Sequence, residues 1–113
     1  MQVQTEGIHT AEFLLSEGQG QISRENIDVE AGDALPAGQI LGKTAANVYG
    51  AYDPAANDGD QTAVGILYAP LDQSATARRA VGIVRMAEIA GERLTGLDAA
   101  AQTALALQHI IVR

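Results

Sequence analysis

"NIDVEAGDALPAGQILGKT", residues 26–44, admits two readings. Its first part alternates, with Ile27 and Val29 between polar neighbours, the period of a strand with one buried face. Gly32, Pro36 and Gly38 then punctuate short apolar pieces as turns. The end, "AGQILGKT" (37–44), nearly spells the phosphate-binding loop G-x-x-x-x-G-K-[ST], with Ala37 in place of the first glycine. The flanks decide. A phosphate loop needs a strand leading in and a helix of about ten residues whose positive end points at the phosphates. Upstream stands the turn "DALP", and downstream Gly50 and Pro54 interrupt "AANVYGAYDP" too soon for that helix. Asp72, the candidate magnesium holder, follows Pro70, which breaks its strand. The stretch therefore reads as β structure without a nucleotide.

The same style continues toward the C-terminus. "NVYGAY" is strand-like, "DPAANDGDQ" (53–61) is a turn-rich loop, and "TAVGILYA" is an apolar, β-branched strand. "AVGIVRMAEIA" sets Val81, Ile83, Ala87 and Ile89 at alternate positions, with Arg85 interrupting, and is read as a strand, although Ile83, Ala87 and Leu94 also suit a helix. "DAAAQTALALQ" is the one clear helix, with Asp98 as its N-terminal cap and Leu105 on the face of Ala101. "HIIVR" closes the chain as a strand. The expected class is α+β: a small β-rich domain with one C-terminal helix.

At 113 residues the chain has room for one modest core, and with one Phe, three Tyr and many alanines a lone copy is thinly stabilised. Burial against copies of itself or a partner would help. With no cysteine, disulfides, thiolate chemistry and sulfur-ligated metals drop out. No run matches a membrane span, and "MQVQTEGIHTAEF" has neither a basic flank nor a secretory apolar stretch, so a soluble protein made in the cytoplasm is expected. Fourteen acidic against seven basic residues repel phosphate backbones; nucleic acid is not an expected partner.

Residues 1–21 differ from the rest. One apolar patch, Phe13-Leu14-Leu15, sits between polar residues and "EGQGQ". It is either an arm or the first strand of the domain's own sheet. "SREN" (23–26) follows, where Ser23 and Arg24 either anchor that arm or form a local turn with Arg24 solvated.

Catalytic and metal signals are weak. His9 and His109 are a hundred positions apart, and neither has a carboxylate or second histidine at ligand spacing. Asp58 and Asp60 in "NDGDQ" lack the further acidic ligands of a calcium loop and read as a solvated turn. Ser16, Ser23 and Ser74 sit in no nucleophile elbow. No enzymatic activity, cofactor or metal is expected.

In order, "HTAEFLLSEGQGQISRENIDVEAGDALPAGQILGKT", "GDQTAVGILYAPLDQSAT", "VRMAEI" and "LALQHIIVR" resemble the head decoration proteins of lambda-like tailed phages, over nearly the entire chain. The resemblance implies a homotrimer on the outer surface of the expanded capsid, at three-fold positions of the major capsid protein, holding the shell against DNA pressure. It implies a flexible capsid-binding arm at 1–21 and a β-rich decoration domain at 22–113, in a protein synthesised in the host cytoplasm. Ile8, Phe13, Leu14, Leu15, Ser23 and Arg24 are then the candidate capsid-binding residues. The rival is a monomeric barrel-like carrier or ligand-binding module, since "VEAGDALPAGQIL" also resembles the turn region of lipoyl or biotinyl carriers. Lys43, after a glycine, lacks the neighbours such a carrier lysine has.

Overall fold

A computed structural model describes residues 10, 12–17, 22–44 and 47–113. Ile8, His9 and most of the expected arm lie outside the described residues. The strands are β1 (Leu14–Glu17), β2 (Arg24–Val29), β3 (Ile40–Lys43), β4 (Tyr49–Ala51), β5 (Gly65–Leu67), β6 (Arg78–Ile83), β7 (Ala87–Ile89) and β8 (Ile110–Val112). The helix α1 (Ala99–Ala106) stands between β7 and β8, after a short 3-10 turn at Gly91–Arg93. The β-rich class with one helix near the C-terminus is as the sequence predicts.

Five strands close into a barrel in the order β2-β4-β3-β5-β6. Its longest seam is antiparallel, β2 on β6, from Arg24 opposite Ile83 to Val29 opposite Arg78. Its shortest is the single parallel pair Val29–Tyr49. The alternation in "NIDVE" does what its period demands, turning Ile27 and Val29 into the barrel, where Leu41, Tyr49, Leu67 and Val84 meet them. β3 and β5 do not alternate in polarity, because both of their faces are covered. Leu41 and Leu67 face the barrel interior while Ile40 and Ile66 face a second core outside it. A strand packed on both faces needs apolar residues at consecutive positions, which is why "IL" recurs in both.

The second core joins the barrel wall to a three-stranded sheet of order β1-β7-β8 and to α1. β1 runs antiparallel to β7, and β7 parallel to β8. A parallel pair requires a crossover, and residues 90–109 supply it with α1. Asp98 caps that helix as expected: its side chain accepts from Ala101 N at 2.7 Å, and also from the Tyr52 hydroxyl at 3.0 Å. Ala101 and Leu105, one turn apart, are the fully buried helix positions.

"AVGIVRMAEIA" is not one strand. The chain leaves the barrel after Ile83, turns at Met86 with a φ of 53°, and enters the other sheet at Ala87. Ser23 fastens this corner: its carbonyl accepts from Val84 N at 2.9 Å and its buried hydroxyl donates to the Met86 carbonyl at 2.7 Å. The apolar positions keep the same phase on both sides of this three-residue corner, with Arg85 the one interruption between them, so periodicity alone does not separate a corner from a continuous strand.

The phosphate-loop likeness dissolves for a packing reason. Gly42 is a strand residue opposite Gly50, and a Cβ on it would lie 2.4 Å from Asp60 Cα. This glycine exists to let the 53–62 loop rest on the strand, and nothing is left open for a phosphate. Lys43 places its ammonium 5.5 Å from the centroid of the Tyr49 ring.

Candidate functional site

In the three-stranded sheet, side chains on successive residues point to opposite faces. Ala87, Ile89 and Ile110 point into the second core. Ser16 pairs with Glu88, and Glu88 with Ile111, so these three share the outer face. Ser16 Oγ donates to Glu88 Oε2 at 3.0 Å, and an Arg113 guanidinium nitrogen to Glu88 Oε1 at 2.6 Å. The Arg113 hydrogen bond, helped by that from Ser16, holds the Glu88 carboxyl below its usual range. Beside this polar row lies a shallow groove of about 730 Å³ bounded by Met86, His109 and Ile111. Met86 is 49 % exposed and Ile111 42 %, apolar surface that the domain leaves uncovered.

β1 is an edge strand of this sheet. Its register with β7 slips between Leu14 and Ser16, making Leu15 the extra residue of a β-bulge and leaving it 56 % exposed. An edge strand offers unpaired main-chain groups to another chain, and a bulge limits how far such pairing can run.

The six residues singled out from the sequence separate here. Ile8 lies outside the described residues. Phe13 is fully buried in the second core and Leu14 packs half-buried against it. Ser23 is fully buried at the corner described above. Arg24 is half-buried, paired through two of its three guanidinium nitrogens, Nε and Nη2, with Glu17, and 4.5 Å from the centroid of the Tyr68 ring. It ties the end of β1 to the barrel, an alternative to the solvated turn of the sequence reading. Leu15 alone among the described five presents a largely free side chain. The apolar residues that sequence reasoning missed are Met86 and Ile111. Ile111 had a signal: two isoleucines in succession in a strand must face opposite ways, so one of them looks outward.

Asp60 corrects the reading of "NDGDQ" as a solvated turn. Asp58 Oδ1 does make a local turn bond, from Asp60 N at 3.2 Å, but Asp60 itself is only 6 % exposed. Among the described residues no group of three or more His, Cys, Asp or Glu stands in a metal-holding arrangement. No helix among them is long and apolar enough to cross a membrane.

A model of the family described as bacteriophage lambda head decoration protein D matches residues 3–110, nearly the whole chain. No curated protein sequence matches it.

Proposed function

Because the chain belongs to the bacteriophage lambda head decoration protein D family, a family of structural proteins of the phage capsid, we propose that it binds the expanded capsid as a homotrimer. It sits on the outer surface at three-fold positions of the major capsid protein and stabilises the shell against packaged DNA. The observation that carries this reading is that β1 stands at the edge of its sheet among the described residues, with Leu15 exposed on its bulge, inside the segment 1–21 that the sequence marks as an arm.

The contact surface we propose is narrower than the sequence set. Phe13, Leu14 and Ser23 serve the domain's own packing, which leaves the segment around Ile8 together with Leu15 to meet the shell, and Arg24 to hold β1 in place. A strand added to a sheet edge gains main-chain hydrogen bonds while alternate side chains enter pockets. Ordering such a segment costs about 2–5 kcal/mol, so one contact is weak. Three on one trimer rebind at high effective concentration and raise avidity by roughly two or more orders of magnitude. If only the expanded lattice matches the spacing of the three contacts, binding both selects and stabilises that state.

The test uses expanded and compact shells with the full chain and with a chain lacking residues 1–9. Attachment to expanded shells alone, strongly reduced by the truncation, and three bound copies per three-fold position are expected. Equal uptake by compact shells, or undiminished attachment of the truncated chain, refutes the reading.

A further inference from the structure

The loop at 53–62 lies across the β3–β4 hairpin on two of its glycines, Gly42 and Gly50, and brings a third, Gly59, of its own. A Cβ on Gly42 would lie 2.4 Å from Asp60 Cα, and Gly59 packs against the Lys43 carbonyl. Over Gly50 two carboxylates converge. A Cβ there would lie 2.6 Å from Glu30 Oε1 and 2.8 Å from Asp60 Oδ2, so the two oxygens are separated by at most the sum, about 5.4 Å. Asp60 Oδ1 is buried without a hydrogen-bond partner. Asp53 N donates to the Asp60 carbonyl at 2.9 Å, closing the loop on itself.

The groups acting on this carboxyl share its sign: Glu30 after β2, and Asp58 and Asp53 from the loop. Cations of the neighbouring strands are engaged elsewhere. Lys43 on β3 lies over the Tyr49 ring of β4, and Arg78 on β6 donates to the backbone carbonyls of Glu30, Asp33 and Asp72. A buried, unpartnered carboxylate beside other carboxylates is costly, and protonation removes the charge.

We propose that Asp60 is a proton-operated latch: as a neutral acid it fits beside the Glu30 carboxylate over Gly50 and keeps the 53–62 loop on the hairpin, and on ionisation it loosens that loop. Burial, then Glu30, Asp58 and Asp53, push Asp60 up to about 6 from 3.8. The folded state thus binds the proton more tightly than the unfolded chain. The resulting stability is present below about pH 4, is lost as pH rises through about 6, and stays lost above. Two pKa units correspond to about a hundredfold in the folding constant.

The experiment follows the Asp60 carboxyl carbon by NMR across pH in the wild-type chain, with urea unfolding from pH 4 to 7 for wild type and Asp60→Asn. Expected are a midpoint near 6, a downward shift of that midpoint in Glu30→Gln, and a roughly hundredfold fall in the folding constant that Asp60→Asn lacks. Amide exchange at Asp53 and Thr62, corrected for intrinsic rates, accelerates above pH 6 in wild type. A wild-type midpoint near 4 overturns the proposal, and that measurement stands even if the variants fold poorly. Stabilisation of wild type at pH 7 by millimolar calcium, absent in Asp60→Asn, also overturns it, since the pair would then hold a cation rather than a proton.

Discussion

Replacing Phe13 with alanine separates a packing role from a docking role. Phe13 is fully buried, its ring lies against Gly38, and its carbonyl accepts from Ala90 N at 2.8 Å. It fills the second core with Ile40, Ile66, Ile89 and Leu105, so truncation leaves a cavity between the barrel wall and the sheet. Phe-to-Ala changes at such sites cost about 3–5 kcal/mol. For a chain of this size each kcal/mol lowers the melting temperature by roughly 4 °C, giving a fall of about 12–20 °C. Leu15→Ala, two residues on and largely exposed, changes stability by no more than about 0.5 kcal/mol and weakens attachment to expanded capsids. Urea unfolding of both variants, with a capsid pull-down at a temperature where both are folded, reads the contrast. If Phe13→Ala unfolds within about 1 kcal/mol of wild type and yet loses attachment, the residue belongs to the docking surface and the assignment is wrong.

Asp98→Ala removes the α1 cap and the acceptor of the Tyr52 hydroxyl; a loss of about 1 kcal/mol from the cap is expected in urea unfolding, and Asp98→Asn retains most of it. Gly42→Ala forces the 53–62 loop off its strand because the new Cβ meets Asp60 Cα; a cost of about 1–3 kcal/mol and faster proteolysis within that loop are expected. Arg113→Ala frees the Glu88 carboxyl, whose NMR midpoint then moves upward. The folded protein holds Glu88 below its usual 4.5, so this contact contributes above that value and is lost as pH falls through the folded midpoint; the variant's stability falls less steeply in acid.

Residues whose environment follows from their own period were legible in the sequence. Ile27 and Val29 alternate into the barrel, Asp98 caps the helix before Ala101 and Leu105, and "HIIVR" is a strand. What stayed hidden depends on contacts distant in the chain. Whether Phe13 belongs to an arm or to a core is decided by Ile89 and Leu105, more than seventy positions away, and no local pattern records that. The corner at Met86 kept the apolar positions in phase on either side of Arg85, and its fastener, Ser23, looked like any turn serine. Asp60 sat in a sequence of turn residues whose ordinary fate is solvent; only the bare glycines opposite it make room for burial. The candidate surface was legible only in part, since Leu15 was named while Met86 and Ile111 declared themselves through the sheet's register.

The order in which the two layers draw on the chain has a consequence for synthesis. All five barrel strands have emerged once Ile83 is made, whereas β1, near the front, waits for β7, and β8 comes later still. A chain released between these points has every barrel strand but lacks the β8 and helix residues that cover Ile40, Ile66 and Ile83. Exposed apolar flanks are sticky, so prematurely terminated products of this protein are expected to clump, whereas chains that reach Val112 bring their own cover.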